Sequence, residues 1–218
     1  MKRIAAVSGL VLGLMAGLAG QAHAGFIISA TSATINAGGP GFGNIADTFN
    51  QNGLLSTYTS GVTDFDTYMA GNPKHIITFS GYEWFSNEGT KSAQVTYSLG
   101  GVKSIDALAL WNEEASGIGS LNLLTSSDGV HFTSLLSNLS PTDNVDSYGA
   151  DIFRFGTVAA QYVRFEMSGC PQPRPGSFPS CAIGEVAFSQ SSAVPIPATI
   201  ALLGLGLVGI GAARRKLA

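Results

Sequence analysis

Leu121-Asn122-Leu123-Leu124-Thr125-Ser126-Ser127-Asp128-Gly129-Val130-His131-Phe132-Thr133-Ser134-Leu135 reads as two extended runs joined by a tight turn. Leu121 to Ser126 and Val130 to Leu135 supply the strands. Ser127-Asp128-Gly129 supplies the turn, because Asp bonds its own downstream main chain and Gly accepts the positive φ that a hairpin needs. On either side the apolar residues alternate with period two in short runs: Ala93 to Tyr97, Ile105 to Trp111, Asp151 to Phe155, Tyr162 to Met167 and Ile183 to Phe188. This is the pattern of half-buried strands, without the i, i+3, i+4 spacing of a long amphipathic helix. Many short strands in a chain with 28 glycines predict an all-β antiparallel β-sandwich.

Outward from the strands, both ends of the chain read as addresses. Lys2 and Arg3 precede an apolar stretch from Ile4 to Gly20 and then Ala22-His23-Ala24, a small-x-small pattern for signal peptidase, with cleavage expected before Gly25. At the other end Val194 to Ala213 carries no charge over 20 residues, close to the roughly 20 that cross a bilayer as a helix. Arg214, Arg215 and Lys216 follow it and should stay cytoplasmic, leaving the preceding segment outside the inner membrane. The expected organisation is a signal peptide over 1–24, one domain over 25–193 and a sorting tail over 194–218.

Val194-Pro195-Ile196-Pro197, the apolar run and Arg214-Arg215-Lys216, in that order at the C-terminus, resemble the PEP-CTERM sorting signal of Gram-negative bacteria that make exopolysaccharide. The resemblance implies recognition by an exosortase, transient anchoring in the inner membrane, and final placement at the cell surface or outside the cell. The family's Glu is Ile196 here, so slow processing or a retained anchor is the corresponding alternative.

The 169 residues from Gly25 to Ala193 suit a single domain with a full core. All 14 acidic residues lie in this segment with only six Lys and Arg, a net charge of −8. Such a surface argues against nucleic acid or anionic lipid as partners and is compatible with divalent cations or sugars. Cys170 and Cys181 flank a proline-rich loop and, in an oxidising compartment, are expected to form a disulfide.

Five pieces in order resemble the discoidin-like, galactose-binding jelly-roll family. They are Tyr97-Ser98-Leu99-Gly100, Ile105 to Trp111, the Ser127-Asp128-Gly129 hairpin, Gln161-Tyr162-Val163-Arg164-Phe165 and Ile183-Gly184-Glu185-Val186. Ser98 and Gln161 depart from the family's Asp and Arg, and Gly61 to Ser92 reads as an insertion. The resemblance implies a jelly-roll sandwich and a structural calcium, with Asn52, Thr57 and Glu185 at the family's ligand positions and Asp47 replacing the charge that Asn52 lacks. A loop pinned by ordinary hydrogen bonds, with Glu185 capping main-chain amides, is the alternative.

Ligands of this fold bind at sandwich loops, where sugars stack on exposed aromatics. Trp84 with Glu83, and Asn112 with Glu113 beside Trp111, are the candidates; Trp84 is expected to be exposed and Trp111 to lie in the core. Neither a Gly-x-Ser-x-Gly nucleophile nor an HExxH helix occurs, and Glu113 and Glu114 are neighbours that point to opposite faces if extended. The expectation is a noncatalytic envelope or extracellular-matrix protein that binds exopolysaccharide or another glycan. A structural matrix protein without a discrete ligand is the first alternative and a secreted hydrolase the second.

Overall fold

A computed structural model describes residues 25–77, 81–173 and 178–191. The signal segment and the sorting tail, with Val194, Pro195, Ile196, Pro197, Arg214, Arg215 and Lys216, lie outside the described residues. Among the described residues no helix is long and apolar enough to cross a membrane.

In chain order the strands are β1 (Gly25–Ile28), β2 (Ser32–Ala37), β3 (Phe42–Gly43), β4 (Trp84–Phe85), β5 (Ser92–Trp111), β6 (Ser120–Ser126), β7 (Thr133–Leu139), β8 (Asp151–Ser168), β9 (Ala182–Ile183) and β10 (Glu185–Ser191). A 3-10 turn, Ile45–Thr48, and one short helix, α1 (Phe65–Ala70), interrupt them. All pairings between these strands are antiparallel.

Strands β5 and β8 run the length of the molecule and belong to both layers of the sandwich. The first half of β5 (92–98) pairs with β2 and with the last part of β8, which in turn pairs with β6 and then β7. The second half of β5 (105–111) pairs with β10, which pairs with β1, while its other edge takes the first part of β8. Register shifts between Ser98 and Lys103, and between Ile105 and Ala107, mark where β5 passes from one layer to the other, as bulged strands do at sandwich corners. The outermost pair of the second layer joins Gly25 to Ser191.

Between the layers sits the main core, with Val95, Tyr97, Leu108, Leu110, Val163, Phe165, Leu121, Leu123, Val186 and Phe188 all buried. Alternation in β5 and β10 turns Ala107, Ala109, Trp111 and Ala187 to the other face, against Ile27, Leu54, Phe65, Met69 and Tyr148. Small side chains there let the Leu54-to-Met69 segment lie close on the sheet, so the second layer is covered on both faces. This explains why Ile105 to Trp111 and Val186 to Phe188 are nearly continuously apolar.

Two local expectations change. The hairpin forms at Ser127-Asp128-Gly129, but its second strand begins at Thr133 rather than Val130. Asp128 Oδ1 accepts from Val130 N and His131 N, both at 2.9 Å, and extends the turn. A second expectation also changes, that Asp64 and Asp66 lie on an exposed acidic strand, where they would share a face: Asp64 instead caps α1 by accepting from Thr67 N at 2.8 Å, and Asp66 pairs with Arg154. The expected disulfide joins Cys170 and Cys181, both buried, with Cα atoms 5.0 Å apart.

Gly53 has a steric reason to be glycine, since a Cβ added there would meet His75 Nε2 at 2.0 Å. Gly53→Ala is expected to destabilise the domain by about 1–3 kcal/mol, the ordinary cost of overpacking. Urea titration checks this, and a midpoint equal to that of the unaltered protein would show that His75 yields freely.

Candidate functional site

Trp84 is fully buried, which overturns its expected exposure. The glycines around it close turns at Gly81 and Gly89, with φ of +83° and +82°, and bring Trp84 into a three-stranded sheet opposite Gly43 and Ile183. Its indole donates to Pro40 O at 2.9 Å. Phe42 on the adjacent strand is 74% accessible, and Tyr82 and Phe178 nearby are exposed as well. Trp111 lies in the core as expected, its Nε1 donating to Pro73 O.

Glu83, Asn112 and Glu113 are also buried. Asn112 donates to Thr142 O and Gln172 Oε1 at 2.8 Å and accepts from Ile118 N at 2.8 Å. Glu113 Oε2 accepts from Ala115 N and Ser116 N. These side chains brace one end of the sandwich from within and have no ligand-facing surface.

Glu83 Oε1 lies 3.8 Å from His75 Nδ1 and has no hydrogen-bond partner. Burial, reinforced by the charge of Glu114, pushes the Glu83 carboxyl up to about 7. Burial holds the His75 imidazole below its ordinary range, and its Nδ1 lies 3.0 Å from the Tyr148 hydroxyl.

Of the expected calcium residues, the structure brings Asp47, Asn52 and Glu185 together around one loop. Asp47 Oδ1 accepts from Asn50 Nδ2 at 2.8 Å and from Asn52 Nδ2 at 3.5 Å. Glu185 Oε2 accepts from Gln51 N at 2.9 Å, while Oε1 is buried without a partner. Burial, with the Asp47 charge adding to it, raises the Glu185 carboxyl well above the usual range. Thr57 is exposed. Among the described residues no three His, Cys, Asp or Glu side chains converge as a metal set, so an ion here would draw on main-chain and amide oxygens, as calcium accepts. The orphaned Glu185 oxygen fits that role; the Gln51 contact equally shows the amide-capping role.

The outer face of the first layer is open. Two cross-strand rows lie on it: Thr34, Thr96, Arg164 and Leu124 in one, and Ser32, Ser98, Tyr162 and Ser126 in the next. With Asn36 and the Asp128-Gly129 turn they outline a groove of about 400 Å³, within the size range of small-ligand sites. Arg164 Nε donates to Thr96 Oγ1 at 2.9 Å, and Thr96 Oγ1 donates to Asn36 Oδ1 at 2.6 Å. The guanidinium stacks 3.6 Å over the Phe132 ring. An added Cβ on Gly129 would sit 3.2 Å from the Tyr162 ring, so glycine keeps that wall back. Asp128 accepts hydrogen bonds from His131, Val130 and Ser126, which hold its carboxyl below the usual range. The sequence carried a signal for this face: alternation in Gln161-Tyr162-Val163-Arg164 turns Tyr162 and Arg164 outward once Val163 is in the core.

An all-β antiparallel sandwich with an open polar face on one layer is the class that the geometry defines, and solved structures share its fold. The CBM32-1 and CBM32-2 domains of Clostridium perfringens ZmpB align with a TM-score of 0.50 at 13% identity, over 77% of this chain and 37% of that one. A selenomethionine-labelled variant of chitosan-binding module 1, from a chitosanase/glucanase of Paenibacillus sp. IK-5, aligns with a TM-score of 0.49 at 19% identity, over 77% of this chain and 98% of that one. The sandwich thus shares the fold of those CBM32 domains. Residues 193–216 match the PEP-CTERM protein-sorting motif, which implies exosortase processing, export and transient membrane anchoring. A search of curated protein sequences finds no match.

Glu83 predicts a pH dependence of stability. Its folded-state pKa of about 7 exceeds the ordinary 4.5, so between those values the folded state holds a proton that the unfolded chain has released, and stability falls as pH rises through this window. His75 acts oppositely below its ordinary 6.5, so the informative comparison is between proteins. Glu83→Gln is expected to remove part of the decline in melting temperature between pH 5 and 7, and an unchanged profile would exclude Glu83 as its source.

Proposed function

We propose that this is an exported, noncatalytic glycan-binding protein of the cell envelope or extracellular matrix, including biofilm matrix, sorted by an exosortase and engaging exopolysaccharide through the groove on its open sheet face. The observation that carries the reading is that groove: hydroxyl and amide side chains in cross-strand rows beside the ring of Tyr162, on a rigid sheet. Sugars need this combination of an apolar plate and directional hydrogen-bond partners.

The noncatalytic part is supported by the state of the carboxylates. Glycoside hydrolysis needs two of them about 5 to 9 Å apart at the substrate. Asp128, which lines the groove, is committed to the hydrogen bonds that shape its turn. Glu83, Glu113 and Glu185 are buried. The export reading adds signal peptidase before Gly25, a mature domain from Gly25 to Ala193, an inner-membrane stage, and release by tail removal as the remaining steps.

Calcium belongs to the same proposal as a structural ion at Asp47 and Glu185, with Asn52, Thr57 and main-chain carbonyls completing the oxygen set. It would neutralise the buried Glu185 carboxylate, whose Oε1 has no hydrogen-bond partner.

Retention of the mature domain on the producing organism's exopolysaccharide tests the reading. Saturable retention, weakened about tenfold by Tyr162→Ala without loss of folding, is expected for an aromatic anchor. No retention in calcium or in chelator would select the structural matrix role. In a parallel melting experiment, calcium is expected to stabilise the unaltered domain but not Glu185→Gln. Equal stabilisation of both proteins would remove the metal from Glu185.

A further inference from the structure

Arg164 sits at the centre of the open face, on β8, in the row that runs from Thr34 through Thr96 to Leu124. Its Nε is spent on Thr96 Oγ1, and its plane is fixed by stacking 3.6 Å from Phe132. That leaves the Nη1/Nη2 edge of the guanidinium, the edge that grips a carboxylate with two parallel hydrogen bonds. Close acid–base contacts among the described residues join His75 with Glu83, His131 with Asp128 and Arg154 with Asp66, and none includes Arg164.

This isolation is notable in a segment where acidic residues outnumber basic ones by 14 to six. Asp128 lines the same groove, yet its Oδ2 is occupied by His131 Nδ1 at 2.8 Å. Glu166, one row along, accepts from Gln94 Nε2 at 3.2 Å. The two acids nearest in the pattern are therefore directed to other partners, while Thr96, Asn36 and Phe132 hold the arginine in place. Holding a long, flexible side chain in one geometry costs rotamer entropy, and preorganisation of this kind lowers the cost of binding a planar anion.

We infer that the groove is selective for acidic glycans, taking the carboxylate of a uronic acid residue on Arg164 while the hydroxyls of Ser32, Thr34 and Ser98 meet the ring hydroxyls. This rests on the glycan-binding reading and narrows it from glycans in general to one class. The planar carboxylate matches the planar fork, and the surrounding negative charge works against long polyanions that do not seat on Arg164. Specific seating should therefore survive at physiological ionic strength, where repulsion from distant charges is screened beyond about 8 Å.

The test uses the full-length protein purified in detergent and titrated by calorimetry in 150 mM NaCl with chelator present, since uronates themselves bind calcium. The probes are hexagalacturonate, its fully methyl-esterified form, and a neutral hexaglucoside carrying one sulfate. Hexagalacturonate is expected to bind, and esterification or Arg164→Gln to weaken it by about ten- to a hundredfold, the loss of a charge-assisted hydrogen-bonded pair. Arg164→Lys should recover only part of the affinity. Phe132→Leu, which removes the stack but keeps the charge, should give an intermediate loss.

Equal affinity for the acid and its ester, or an Arg164→Gln protein that binds hexagalacturonate normally, would overturn the acidic-glycan assignment while leaving glycan binding intact. Equal, Arg164-dependent binding of the sulfated probe would replace the carboxylate with anions in general and overturn the uronate assignment. Failure of all three probes, together with no retention on exopolysaccharide, would remove the glycan-binding reading itself.

Discussion

The pairing of β5 with β8 sets the geometry on which everything else depends. Each strand crosses from one layer to the other, and together they stay in register on both sides of a shared corner. Because they are central in both layers, every other strand of the large sheet is placed by hydrogen bonding to one of them or to a neighbour of one. The shifts near Ser98 and Ile105 allow Val95 and Tyr97 of one half, and Leu108 and Leu110 of the other, to face the same core. A one-residue slip would turn this whole set outward.

From this arrangement follows an asymmetry between the two outer faces. The second layer presents alanines at Ala107, Ala109 and Ala187, and the segment carrying α1 lies on them. The first layer presents Thr96, Tyr162 and Arg164, for which no such cover exists among the described residues. The polar groups of the sandwich thus fall into two kinds. Glu83, Asn112, Glu113 and Glu185 are interior and fix loops, with strongly directional hydrogen bonds where they are satisfied. The outer rows of β2, β5 and β8 are set by strand alternation and stay available to a partner.

Strand alternation was legible wherever a run had one wet face, and the Asp128-Gly129 turn was legible from its own chemistry. Asp128 reaching two residues further along the chain was not, because that depends on which of its oxygens meets which amide. Trp84 shows the larger failure. Its neighbourhood of Gly81, Ser86, Asn87 and Gly89 has loop composition, but two residues suffice for a strand when Gly43 on one side and Ile183 on the other supply partners, and those partners are distant in sequence. The same long-range dependence hid the burial of Asn112, whose side chain reaches to Thr142 and Gln172. Asp47 lies near enough to Glu185 for its charge to be felt there, a proximity across 138 positions that no local pattern in the sequence carries. For Tyr162 and Arg164 the alternation was plain, yet one strand alone could not show that β2 and the β6–β7 turn would raise walls beside them.

Gly25 and Ser191 are partners at the margin of the second layer, whereas the groove lies on the outside of the first. A molecule held by its tail and pulled through a ligand in the groove would carry tension from β10 through β5 and β8 to the opposite layer. Those strands would be strained along their axes, where many ladder hydrogen bonds resist at once. A pull confined to the paired ends would meet the four β1–β10 rungs one after another and peel β1 away. A load applied between the groove and the C-terminal end of β10 would therefore pass through the β5–β8 ladder, the most extensive pairing of the large sheet.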